Sequence, residues 1–269
     1  MYLFLFNPSA NKGKGKKMEG KIKKYLNSLD IRGRFVKCEK EGDAIKITNQ
    51  AIENNIKDIV AIGGDGFINQ IVQVIADRNI SLGIIPIGNA NFLANILGIN
   101  SWKKGCEILT KKDVVNINLG LIKNRFFSSS VEIESSDEKE YGVFKKILHR
   151  KKNKKYIPLK IQVQDDRTKL KIQANVSSLI VSTIPFPPPK NFNIRNNDDD
   201  HSLNIIIKSK TISEKNKNQE EITILRGSKI EIESKNPIKV KTDGEYCGKT
   251  PVTIELVPQS LRVIVPPKK

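Results

Sequence analysis

Over the first 120 residues, short runs of apolar or β-branched side chains alternate with stretches in which apolar positions recur at helical spacing. Residues 2–6, 34–39, 59–62 and 82–86 read as strands. Between them lie three helical stretches. A lysine-rich one ends near residue 28. A second opens at Gly42-Asp43 and carries Ala44, Ile47, Ala51 and Ile52 on one face. A third runs through Ala76 with Ile68, Ile71, Val72 and Ile75 in phase. This alternation predicts a doubly wound parallel α/β domain, whose ligands bind outside the carboxyl ends of the strands.

Beyond residue 120 the texture changes, and helical periodicity is confined to about 138–148. Residues 159–163, 170–175, 178–182, 203–207, 221–225, 229–233 and 238–241 are short, β-branched and often alternating, with turn-forming residues between them. That pattern predicts an antiparallel β-sandwich or barrel. The proline-rich stretch 184–189 reads as an extended loop and 213–220 as a polar connection. The expected division is 1–120 and 121–254, with a last strand, about 255–269, able to return to the first domain.

Between the apolar run 59–62 and the third helix stands Gly63-Gly64-Asp65-Gly66. Glycines at such a turn let a ligand approach the backbone, and the N–H groups of the first helical turn favour an anion, so a phosphate is the natural guest. Asp65 narrows the chemistry: a carboxylate sits beside phosphate oxygens only when a metal ion or a reacting hydroxyl lies between them. A second polar loop at 86–94 offers Gly88 for backbone approach and Asn89 and Asn91 as hydrogen-bonding groups. These suit a nucleotide, although Asn91 equally suits the cap of the next helix.

Charge adds a partner class. Lys plus Arg number 47 against 29 Asp plus Glu, a net +18, which attracts nucleic acid or an anionic membrane face. Much of the excess is scattered lysine, as on any solvated surface, but residues 145–155 hold eight basic side chains in eleven positions. No aromatic side chains interleave with that run and no nucleic-acid motif appears, so no nucleic-acid partner is expected and a membrane surface is preferred. No apolar run reaches the length of a membrane helix. The opening apolar run lacks a basic prefix and is too short for a signal core, which predicts a cytoplasmic protein associated peripherally with the inner face of the membrane. Cys38, Cys106 and Cys247 give neither a disulfide framework nor a zinc pattern.

Asn7-Pro8 with its Gly-Lys loop, Gly63 to Gly66, the loop 86–94, and Asp243-Gly244-Glu245 followed by the ending 261–266 occur in the order and spacing of one family. The chain resembles the diacylglycerol kinase catalytic-domain family, with sphingosine kinases and NAD kinases as more distant relatives. The resemblance implies a nucleotide-binding α/β domain, a β-rich lipid-binding domain, and phosphorylation of a lipid hydroxyl in the cleft between them, using ATP and Mg2+. Carried over by position, it assigns nucleotide contacts to Asn7, Cys38, Gly63, Gly64, Asp65, Gly66, Phe67, Ile68, Asn69, Gly88, Asn89 and Asn91. Asp65, Asp243 and Glu245 become the catalytic carboxylates, with Glu245 accepting the hydroxyl proton. Without the resemblance, Asp243-Gly244 is a plain hairpin turn. Asp200, with Asn197 and Ser202, matches a turn that holds a structural magnesium in some members.

Several positions depart from the family pattern. Phe67 stands where a threonine is usual, and Cys38 and Asn89 also replace threonines. Gln70 and Asn118 replace carboxylates, and residues 128–134 replace a glycine-rich lipid-side loop. These changes keep open a catalytically weakened relative that binds nucleotide or lipid for regulation, and a kinase for a soluble acceptor such as NAD. A homodimer is also left open.

Overall fold

The computed structural model describes residues 1–134, 155–185, 202–210 and 220–267. The helix expected at 138–148, the loop at 186–189 and the connection at 213–219 lie outside the described residues. The chain divides into two compact units, the first formed by Met1–Asn118 and the chain from Pro258, the second by Leu119 to Val257 among the described residues.

The first unit alternates β1 (Tyr2–Phe6), α1 (Glu19–Ser28), β2 (Gly33–Lys37), α2 (Asp43–Glu53), β3 (Asp58–Gly63), α3 (Asp65–Ile75), β4 (Ser81–Pro86), a short α4 (Phe92–Ile96) and α5 (Trp102–Lys111). Its strands pair in parallel in the order β2-β1-β3-β4. The chain moves from β1 to one side, then back past it to β3. Right-handed crossovers therefore place α1 and α2 on opposite faces. On the α1 face, Tyr25 Oη donates to Glu107 of α5 at 2.9 Å, and its ring meets Trp102 edge-on at 5.5 Å. α2 packs against α3 on the other face. With both faces covered, every residue of β3 and β4 is buried, so these strands read as continuous apolar runs rather than alternating ones. The strand order reverses between β1 and β3, and that switch point is where open α/β sheets hold their ligands.

The second unit is antiparallel. After β5 (Val114–Ile122), shared by the two units, come β6 (Arg125–Phe127), β7 (Ser130–Glu134), β8 (Ile157–Gln164), β9 (Lys169–Ser182), β10 (Leu203–Lys210), β11 (Glu220–Gly227), β12 (Lys229–Ser234), β13 (Lys239–Thr242) and β14 (Glu245–Lys249). β15 (Val252–Ile264) pairs with β12 through its first residues and with β4 through its last. The residues expected as two strands, 170–175 and 178–182, form the single strand β9. Its first half pairs with β8 and its second with β7 and β10. Lys208 faces Ser178 and Ser209 faces Val176, so Ser177 is an extra residue. A β-bulge, not a loop, sits where the apolar pattern breaks. Val131, Leu179, Val181, Leu203, Ile205, Ile230 and Ile254 form part of the core enclosed by these strands.

Candidate active site

The turn from β3 into α3 is made of backbone packed on backbone. A Cβ added at Gly88 would lie 2.5 Å from Cα of Gly64 and 2.7 Å from Oδ1 of Asn91. One added at Gly64 would lie 3.2 Å from Cα of Gly88. The two glycine loops thus cross in van der Waals contact at the carboxyl ends of adjacent strands. Ile87 N donates to Gly63 O at 3.0 Å and ties them together. Gly64 caps α3, and Ile68 N is bonded back to its carbonyl at 3.0 Å. The N–H groups of Gly66 and Phe67 therefore stand outside the helical ladder at the positive end of the dipole.

Asp65, in the first turn of α3, accepts from Leu93 N at 3.4 Å. Burial pushes its carboxyl above the usual value, against the pull of N–H groups of Leu93, Phe92 and Asn91. This carboxylate caps α4. Asn91, read as a nucleotide contact or a cap, occupies the cap position in the left-handed conformation (φ 48°), but its side chain goes elsewhere. Its Oδ1 accepts from Gly88 N and its Nδ2 donates to Gly88 O, both at 2.9 Å. The amide closes on the Gly88 peptide because Asp65 already serves the helix.

In the second unit, β13 and β14 are joined by Asp243 (φ 48°) and Gly244 (φ 86°), with Thr242 opposite Glu245. This is a two-residue hairpin turn with both residues at positive φ, which Asp-Gly favours. The Asp243 side chain turns inward. Its Oδ1 accepts from Ser129 N at 3.0 Å and Ser130 N at 3.1 Å, and its Oδ2 from Ser128 N at 3.0 Å. Burial raises its pKa, while those three N–H groups and the Arg125 guanidinium oppose the rise. Glu245 faces outward, 53% exposed, and is paired with Arg125 Nη2 through Oε2. The turn therefore splits its two carboxylates into a half-buried anchor and an exposed partner of Arg125.

Residues 1–122 match the model of the diacylglycerol kinase catalytic domain, and residues 209–265 match that of the YegS C-terminal NAD kinase beta sandwich-like domain. Over its first 122 residues the chain is thus similar to the diacylglycerol kinase catalytic domain. A Staphylococcus haemolyticus protein named "Putative lipid kinase" is 26% identical over 280 residues, 93% of this chain and 91% of that one. A "Diacylglycerol kinase" of the same species is 28% identical over 126 residues, 46% of this chain and 38% of that one. The crystal structure of a diacylglycerol kinase from Bacillus anthracis shares the fold, with a TM-score of 0.76 at 22% identity over 99% of this chain and 97% of that one.

Against the family pattern, the remaining positions sort by what their side chains do here. Phe67 lies against Gly63, where an added Cβ would be 2.5 Å from the ring. The ring of Phe67 and the side chain of Ile68 are buried, so only the backbone of these two residues can face a ligand. Asn69 is buried and accepts from Gln73 Nε2 at 2.7 Å. Asn7, at the end of β1, accepts through Oδ1 from Ser9 N at 2.9 Å and shapes the basic loop. Cys38 is buried, and burial pushes its thiol up to about 11, so it offers a neutral, weak donor. Asn89 is exposed. Asn118 accepts from Gln259 N at 2.8 Å, a tie that a carboxylate would make equally well.

The serines that replace the family's glycine-rich loop supply the three N–H groups on Asp243. Against the family pattern, 128–134 reads as a lost glycine-rich loop. The only sequence signal for this anchor was the adjacency of turn-forming and small polar residues. Of the magnesium candidates, Asn197 and Asp200 lie outside the described residues, and Ser202 precedes β10. Among the described residues no group of three or more His, Cys, Asp or Glu could hold a metal, and no helix is long and apolar enough to cross a membrane.

Proposed function

We propose that the chain is an ATP-dependent lipid kinase that transfers the γ-phosphate to a hydroxyl of diacylglycerol or a similar lipid at an anionic membrane surface. The crossing of Gly64 and Gly88 carries this reading. A backbone stripped of Cβ atoms at two strand ends, beside free N–H groups, fits phosphate oxygens. The names of the relatives and the net charge of +18 support the lipid and the membrane.

Asp65 is the only acid in the two loops and fits magnesium, which ordinarily takes one or two carboxylates together with nucleotide phosphates. Bound there, the ion would neutralise charge on the phosphates. Gly64, Gly66 and Phe67 present backbone to the phosphates, Asn91 fixes the Gly88 peptide, and Asp65 holds both helix starts in register. Glu245 accepts the proton of the lipid hydroxyl, and Asp243 positions it by fixing the turn.

Transfer of labelled γ-phosphate from ATP with magnesium to vesicles containing diacylglycerol, monoacylglycerol, ceramide, sphingosine and phosphatidylglycerol tests the reading. The expected result is one labelled lipid that disappears with Glu245→Gln. No labelled lipid, or equal labelling by the variant, would remove it.

A further inference from the structure

α1 and α5 lie side by side on one face of the first unit. Tyr25 joins them: its Oη donates to Glu107, and its ring meets that of Trp102, the only tryptophan of the chain. Both rings are partly exposed, and Lys103 Nζ lies 5.9 Å from the centroid of each.

The charge on this face is one-sided. α1 turns Ile22 and Leu26 inward and α5 turns Cys106, Ile108 and Leu109 inward, which leaves Lys21, Lys24 and Lys103 exposed. Each helix has a single carboxylate, and each carboxylate already faces a lysine. Glu19 holds Lys23 at 2.8 Å and Lys37 at 3.0 Å, while Glu107 accepts from Tyr25 and stands 3.9 Å from Lys104. Three further ammonium groups therefore surround two amphipathic rings.

The face reaches the carboxyl end of the sheet, the end of the glycine crossing. α5 runs antiparallel to β4: Leu109 lies against Gly83, and Gly105, one turn earlier, lies where an added Cβ would be 2.5 Å from Ile84 O and 3.2 Å from Cδ of Pro86. Trp102 is nearly a further turn along, at the end from which the loop carrying Gly88 leaves β4. In α1, Glu19 meets Lys37 at the corresponding end of β2, so Lys21 starts near the same edge.

We propose that this α1–α5 face docks the protein on an anionic bilayer. Lys21, Lys24 and Lys103 meet lipid phosphates, and the rings of Trp102 and Tyr25 enter the headgroup layer, where amphipathic aromatics collect. A nucleic acid fits less well, because a base stacking on these rings competes with Lys103. This docking rests on the lipid-kinase reading above, gives its membrane contact a place, and brings the carboxyl end of the first unit's sheet to the lipid surface.

Full-length protein without nucleotide is mixed with vesicles of phosphatidylcholine, with and without phosphatidylglycerol, and followed by sedimentation and by the emission of Trp102. The expectation is binding that requires phosphatidylglycerol and weakens with salt, with the Trp102 emission shifted to the blue. Joint Lys21→Gln, Lys24→Gln and Lys103→Gln substitution should weaken partitioning about 100-fold, roughly five-fold per lysine, at a nearly unchanged melting temperature. Wild-type partitioning of that variant overturns the proposal. So does binding without a shift of Trp102, since another face then meets the lipid. Both outcomes leave the lipid-kinase reading standing. Tighter binding to single-stranded RNA than to phosphatidylglycerol vesicles, weakened by the same substitutions, assigns the face to nucleic acid and also overturns it. A wild type that binds no phosphatidylglycerol vesicle overturns the docking together with the membrane contact of that reading, whereas transfer of phosphate to lipid is decided separately by the labelling experiment.

Discussion

The glycine crossing of the first unit and the Asp243 hairpin of the second solve opposite problems. At the crossing, the packing depends on side chains that are missing: Gly64 and Gly88 touch because neither has a Cβ. At the hairpin it depends on one that is present, because a single half-buried carboxylate gathers three N–H groups and fixes the turn that carries Glu245. The first device is sensitive to an added atom and the second to a lost charge. Substitution should therefore separate them cleanly.

The largest effect is expected from Glu245→Gln, which leaves the hairpin intact and removes the proposed proton acceptor. Turnover should fall by about 10²–10⁴-fold while ATP binding by calorimetry stays unchanged. Retained turnover would break the distinction between an anchoring and a reacting carboxylate. Asp243→Ala should lower unfolding free energy by about 3 kcal/mol, measured by urea titration, since three backbone donors lose a part-buried charged acceptor. A change below about 0.5 kcal/mol, typical of surface sites, would show that the three serine N–H groups find other acceptors.

Smaller and asymmetric effects are expected at the crossing. Gly88→Ala should cost about 1–3 kcal/mol and weaken ATP binding, because its Cβ would meet backbone 2.5 Å away. Gly64→Ala should cost less, its Cβ meeting Gly88 at 3.2 Å. The reverse ranking in thermal melts and ATP titrations would contradict the packing.

The smallest effect concerns pH. Burial raises the pKa of Asp65 and of Asp243 above the ordinary 3.8. The native state then binds protons more tightly than the unfolded chain, so this contribution to stability is greatest below pH 3.8 and is lost as pH rises through the raised values. Asp65→Asn should flatten the fall in melting temperature as pH rises above 3.8, relative to wild type. An unchanged slope would mean that Asp65 does not contribute to it.

How far the sequence reveals this site depends on how local each contact is. The β3 run, its glycines and the apolar phase of α3 lie within 18 consecutive residues, and both the strand-turn-helix unit and its preference for an anion are readable there. The Asp-Gly turn is local too, and its positive φ values follow from the residue types. What Asp243 binds is not, since its partners lie 113–115 positions away. The side-chain bond at the start of α4 is equally non-local: Asn91 stands at the cap position, but Asp65 reaches Leu93 N across 28 positions. β9 was cut in two because a bulge at Ser177 imitates a chain break until the partner strand is known.

The strand register also fixes an order of events during synthesis. Ser81 and Leu82 of β4 pair in parallel with Arg262 and Val263 of β15. The sheet edge in the first unit is thus translated about 180 residues before the strand that closes it. Until then β4 presents unpaired N–H and C=O groups, a template for any passing strand. For a nascent chain this makes the interval between the two strands, rather than the folding of either unit, the period of greatest exposure to misassembly and of greatest need for a chaperone.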